Sequence, residues 1–136
     1  MFRDCLALST LPYFDTSKVT DGDLMIYNCP NLLCTEEIDV SQMTLFNAGY
    51  SNNNMRTVKI KGLHISINLN QASFLDVESI KFILDNCQQA DEAYTLTLHA
   101  TAKQNFLNKC TEGHQDYDAE YAASLASATE KGLTLA

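Results

Sequence analysis

No apolar run in this sequence approaches the ~20 residues that a membrane-spanning helix needs. The opening Met1-Phe2-Arg3-Asp4-Cys5 lacks the basic start and apolar centre of a secretory signal. A CxxC pair is missing, and five cysteines are an odd number, which argues against a disulfide framework or zinc module and for reduced, buried thiols. Cationic residues are scarce: nine Lys and Arg stand against seventeen Asp and Glu, a net charge of −8. A surface that tracks phosphates needs clustered Lys and Arg, so nucleic acid is not an expected partner.

The chemistry of catalysis is equally thin. There is no HxxxH, no GxGxxG, no GxxxxGK phosphate loop and no nucleophile elbow. His64 and His99 fall in segments read as strands and His114 in a Gly-containing loop, none beside a paired carboxylate. Cys34 has no Lys, Arg or His neighbour in sequence to activate it. The expectation is a chain that is not an enzyme, with no catalytic residue, no metal and no cofactor.

What is present suits one folded domain: 136 residues, 46% hydrophobic and 19% charged. The acid is uneven. Residues 1–71 carry five Lys/Arg and seven Asp/Glu, whereas residues 72–136 carry four and ten. The dominant feature is a repeat. Met1-Phe2-Arg3-Asp4-Cys5-Leu6-Ala7-Leu8 lies over Met25-Ile26-Tyr27-Asn28-Cys29-Pro30-Asn31-Leu32, and Phe14-Asp15-Thr16-Ser17-Lys18-Val19-Thr20 over Ile38-Asp39-Val40-Ser41-Gln42-Met43-Thr44, always 24 residues apart. A worn third copy follows, with Asn52 near the cysteine position and Met55 and Val58 near those of Leu8 and Leu11 after a one-residue slip.

A unit this short cannot bury an apolar face alone, so its copies must stack. In such a stack Leu8/Leu32 and Phe14/Ile38 point inward, and Cys5/Cys29 fills the turn before them. Asp15/Asp39 and Ser17/Ser41, followed by Thr20/Thr44, bond backbone donors in the bend. The string Met1-Phe2-x-x-Cys5-x-x-Leu8, then Phe14-Asp15-Thr16-Ser17-Lys18-Val19-Thr20, then Met25-x-x-Asn28-Cys29, resembles the BspA-type leucine-rich repeats of bacterial surface proteins. The resemblance covers residues 1–48 well and 49–75 loosely. It implies an α/β fold: a short right-handed, leucine-rich-repeat-like solenoid with coils at 1–24, 25–48 and 49–71, and a cap of helices and strands over 72–136.

In the C-terminal half the pattern predicts extended chain over 57–69 with a break at Gly62, and a helix from Asp76 to about Cys87 that buries Val77, Ile80, Ile83 and Leu84. It predicts a strand over Tyr94–Leu98 and a helix from Thr101 to about Lys109 with Phe106 and Leu107 inward. A last helix runs from Asp118 to Lys131, stopped by Gly132, and Leu133–Leu135 forms a final strand beside Tyr94–Leu98. The segments Val77–Ile80, Leu84–Asn86, Tyr94–Ala100 and Glu130–Ala136 are similar to the ends of repeat-bearing phage and prophage proteins from gut bacteria.

The functional expectation is a non-catalytic module that binds a protein or a glycan, in a phage virion or on a bacterial surface. Arg56, Lys59 and Lys61, the last two on one exposed strand face, are its candidate binding residues. Two alternatives are a phage-encoded intracellular inhibitor acting through the acidic half, and a structural or oligomerisation segment. Because the first copy begins without a preceding coil over Leu8 and Phe14, further copies or the rest of a larger chain are expected to stack on residues 1–20.

Overall fold

The computed structural model describes residues 1–47 and 52–136; the boundary between the second and third repeats, at 48/49, lies outside the described residues. The first copy contributes β1 (Phe2–Arg3), β2 (Thr10–Leu11) and β3 (Asp21–Gly22), and the second β4 (Ile26–Tyr27), β5 (Cys34–Asp39) and β6 (Leu45–Phe46). All three pairings between the copies are parallel, with Phe2 opposite Ile26, Thr10 opposite Cys34 and Asp21 opposite Leu45. Each partner is 24 residues on, so the repeat in the letters is a repeat in space.

After the second copy the chain forms β7 (Thr57–Lys61), β8 (Ile67–Leu69), α1 (Val77–Asp85), β9 (Tyr94–Leu98), α2 (Ala100–Cys110), α3 (Ala119–Glu130) and β10 (Leu133–Leu135). β7 joins β5 in parallel, but the register slips: Cys34 faces Thr57 and Glu37 faces Lys59, with an irregularity between the two pairs. The spacing therefore shrinks to 23 and then 22 residues along this strand. The spacing of 23 at Cys34 matches the one-residue slip read in the worn copy, and the further shift from Glu37 onward goes beyond it.

This topology corrects the expected leucine-rich-repeat-like right-handed solenoid. Such a solenoid lays one strand per coil into a single continuous sheet. Here the described residues form four separate parallel sheets, β1-β4, β2-β5-β7, β3-β6 and β10-β9-β8. The first copy pairs with the second at three short points around its path, each two residues long, and the second pairs with the chain that follows through β5 and β7. Three helices then occupy the C-terminal half. The architecture is mixed α/β with short parallel sheets.

α1 closes the open side of β7. The Asp76 side chain caps the helix by accepting the Ser79 N–H at 2.8 Å, and its second oxygen accepts the Thr57 hydroxyl at 3.0 Å. Buried Ser79 in turn accepts the Val58 N–H at 3.0 Å, so a helix side chain satisfies a strand donor that would otherwise lack a partner strand. Ile80, Ile83 and Leu84 sit at helical spacing and are fully buried, each burial contributing about 1.5–3 kcal/mol. Val77 is only half-buried. The core is one apolar cluster from Leu11 to Leu133, including Leu32, Met43, Phe46 and Ile60 from the repeats and Leu96 and Phe106 from the C-terminal half.

Gly62 ends β7 with φ at +74°, where a side chain would also meet Ser41 Cβ at 2.7 Å. Only glycine serves both the turn and the close approach. α2 and α3 pack through Phe106 and Tyr121, whose ring centroids lie 5.8 Å apart. Of the two residues expected to point inward from α2, Phe106 is fully buried but Leu107 is only half-buried, because successive residues of a helix point about 100° apart. The final strand β10 runs parallel to β9, Leu133 opposite Tyr94, as the pattern predicted.

Candidate functional site

The repeated residues divide sharply by copy. Cys29, Leu32 and Ile38 are buried, whereas Cys5 and Leu8 are only partly covered and Phe14 is 38% exposed. The expectation that both members of each pair point into a core holds only for the second copy. Phe14 does rest on Phe2, with ring centroids 5.4 Å apart. The second copy has neighbours on both sides; the first meets only the second.

The Asp posts do what their spacing suggested. Asp15 accepts both the Ser17 N–H (3.1 Å) and the Ser17 hydroxyl (2.6 Å), and Asp39 accepts the Ser41 N–H at 2.9 Å. The Ser17 and Ser41 side chains, helped by their amides, hold both carboxyls below the ordinary aspartate value of 3.8. Lys61 adds to the effect at Asp39. Ser17 and Thr44 depart from expectation, since their hydroxyls donate, to the Asp15 carboxylate and the Thr20 carbonyl, rather than accepting from backbone donors.

A depressed folded pKa contributes stability above the unfolded value and loses it as pH falls through the folded value. Acid unfolding should therefore draw on Asp39 from about pH 4 downward. We expect Asp39→Asn to flatten that limb of a pH-stability curve while leaving the neutral and alkaline limbs parallel to wild type. An unchanged acid limb in chemical denaturation would show that the carboxylate contributes nothing. The site is largely solvent-facing, so the effect should be modest.

Side chains that were not repeated supply much of the bonding between copies. Asn28 donates to Asp4 Oδ1 (2.7 Å), Asn31 to the Leu6 carbonyl (2.7 Å), Asn47 to Asp23 Oδ1 (2.6 Å) and Asn54 to the Pro30 carbonyl (2.8 Å). Thr16 both accepts the Asp39 N–H at 2.8 Å and donates to the Asp39 carbonyl at 3.0 Å. Buried Asn52 accepts the Cys29 N–H at 2.9 Å and donates to the Ile26 carbonyl at 3.1 Å. The bonds of Asn28, Asn31 and Asn47 leave no identity in the repeat, because the first copy carries Asp4, Ala7 and Asp23 at those positions. The available signal was the recurrence of Asp or Asn, with Asp4 and Asn28, then Asp23 and Asn47, at equivalent positions.

The candidate binding residues lie on and beside β7. Lys59 and Lys61 project from its outer face, as alternate spacing required, and Val58 and Ile60 project into the core. Each lysine meets an acid of β5: Lys59 lies 3.7 Å from Glu36 and Lys61 lies 3.6 Å from Glu37. The patch is thus a mixed-charge surface rather than a basic one, and each exposed pair adds at most about 1 kcal/mol. Arg56 stands at the start of the strand with its guanidinium 5.2 Å from the ring centre of Phe74, which is 56% exposed. Leu33 is exposed beside it, and the Arg56 N–H donates to the Leu33 carbonyl at 2.7 Å. A groove of about 170 Å³ runs along the same side, lined by Thr57, Lys59, Asp76, Glu78, Ser79 and Phe82.

Comparison with family models, with curated proteins and with solved structures finds no match. The resemblance to BspA-type repeats therefore rests on the residues quoted above.

The histidines take local structural positions. His64 lies in the turn after β7, with Nδ1 3.0 Å from the Gly62 carbonyl, and His99 caps α2 by accepting the Thr101 N–H at 3.1 Å. Neither is in a strand, as the alternation had suggested, because Gly62 ends β7 early and α2 starts directly after β9. His114 lies in the expected loop and accepts the Asp116 N–H at 3.1 Å. Among the described residues no group of three His, Cys, Asp or Glu side chains is placed to hold a metal ion, and no helix is long and apolar enough to cross a membrane. The most altered phenol besides Tyr94 is Tyr121, which burial, with Glu78 beside its hydroxyl, pushes up to about 12.

Proposed function

We propose that this chain is a non-catalytic recognition module that binds a protein or a glycan through the outer face of β5 and β7, within a phage virion or a bacterial surface protein. The observation that carries this reading is the composition of that face. Two cross-strand ion pairs, Lys59 with Glu36 and Lys61 with Glu37, lie beside the Arg56–Phe74 stack and exposed Leu33. Aromatic, aliphatic and arginine anchors next to fixed polar groups are the mixture that recognition surfaces favour. The strands hold these side chains on a rigid backbone, which lowers the ordering cost of binding. The surroundings named in the reading come from the resemblance of residues 1–48 to repeats of bacterial surface proteins.

The test is direct binding of the purified chain to a glycan array and to isolated envelope and virion proteins, compared with a variant carrying Arg56→Ala and Lys59→Glu. Saturable binding by the wild type, weakened at least about tenfold in the variant, is the expected result. Binding that survives both substitutions would place recognition elsewhere. Turnover of a small molecule at an enzyme-like rate would contradict the reading outright.

A further inference from the structure

Cys5 and Cys29 occupy the same position in successive copies, and the structure places them side by side. The strands that precede them pair in register, Arg3 opposite Tyr27, and the Asp4 N–H continues the ladder to the Tyr27 carbonyl at 2.9 Å. Both chains then turn through the same left-handed residue, Asp4 at φ 56° and Asn28 at φ 53°, and the two turns are bonded through their side chains at 2.7 Å. Neighbouring strands lie about 4.8 Å apart. Equivalent residues just past such a pairing are therefore separated by about the Cα distance that a disulfide spans, roughly 4.4–6.8 Å.

Both sulfurs lie against successive carbonyls of β1. Cys29 Sγ lies 3.1 Å from the Phe2 carbonyl and Cys5 Sγ lies 3.5 Å from the next carbonyl, that of Arg3. The Cys29 sulfur also lies 3.6 Å from the Tyr27 carbonyl, the group that accepts the Asp4 N–H just before Cys5. Cys29 is fully buried, while Cys5 is partly open to solvent. One reachable thiol beside one hidden thiol is the arrangement of an attacking and a resolving cysteine.

We propose that Cys5 and Cys29 are a redox site that closes to a disulfide between the first two repeats when a small-molecule disulfide oxidant is supplied. The Cys5 thiolate attacks one sulfur of the oxidant, forming a mixed disulfide and expelling one thiolate. The Cys29 thiolate then attacks the Cys5 sulfur, forming the Cys5–Cys29 bond and expelling the second thiolate. Two protein thiols lose two protons and two electrons, and the oxidant becomes two thiols. Burial pushes the Cys29 thiol above the ordinary cysteine range, so closure should quicken as pH rises.

The experiment is equilibration of the full chain in glutathione buffers of graded oxidised-to-reduced ratio, read by intact mass, peptide mapping and thermal unfolding. The expected product has lost about 2 Da, links the peptides of Cys5 and Cys29, and unfolds up to roughly 10 °C higher. Cys5→Ser should abolish all three changes, and Cys34→Ser should leave them intact. Accumulation of a stable glutathione adduct on Cys5 without closure, or a bond formed by Cys34, Cys87 or Cys110 instead, would overturn the proposal.

Discussion

Replacing Asn52 by alanine is expected to cost about 2–4 kcal/mol, a large share of the stability of a domain this size. The side chain is completely buried and its amide spans two groups of the preceding copy, the Cys29 N–H and the Ile26 carbonyl. Alanine removes both bonds without admitting water to the site, and a buried polar group that loses its partner costs about 1–3 kcal/mol. Asn52→Asp should be worse, because it keeps only the acceptor, loses the bond to Ile26 and buries a charge. Urea denaturation checks this: the midpoint should fall with the slope unchanged. An Asn52→Ala variant within about 0.5 kcal/mol of wild type would mean that the amide does not tie the copies together.

Phe106→Ala should cost about 3–5 kcal/mol, the loss typical of emptying a large aromatic site in a core. The ring is fully buried and packs against Tyr121, so it joins α2 to α3. Leu107, its neighbour in sequence, is only half-buried, and its truncation should cost clearly less, about 1 kcal/mol. The contrast separates burial from hydrophobicity, since the two residues were indistinguishable in the pattern. Thermal unfolding of both variants decides it, and equal losses would show that α2 packs in a different rotation.

These two sites mark how far the sequence could be read. The period was legible because Met, Cys, Leu, Asp, Ser and Thr recur in register, and their recurrence places Phe2 opposite Ile26 and Asp21 opposite Leu45. The helix that starts at Asp76 was legible because a capping carboxylate precedes apolar residues at helical spacing. The form of the sheets was not. A repeat fixes which residues are neighbours but not how many strands each copy makes, and here each of the first two copies makes three, which pair in three separate sheets. The bonds that Asn28, Asn31 and Asn47 make to the preceding copy were not legible, because a residue that donates to the copy before it has no need to match that copy's residue. Of the candidate site, the positions of Lys59 and Lys61 followed from strand alternation. Their partners Glu36 and Glu37 did not, because that pairing depends on the slipped register of β5 and β7.

Successive copies are locked together by bonds between equivalent positions, and amide hydrogen exchange tests that most directly. The N–H groups of Cys29, Leu33, Asp39 and Thr44 all donate across copies, to Asn52, Ser9, Thr16 and Thr20 respectively. They should exchange in one cooperative class and lose protection together when Asn52 is replaced by alanine. Exchange of these four amides at the rate of an open chain, while α1 remains protected, would contradict the account.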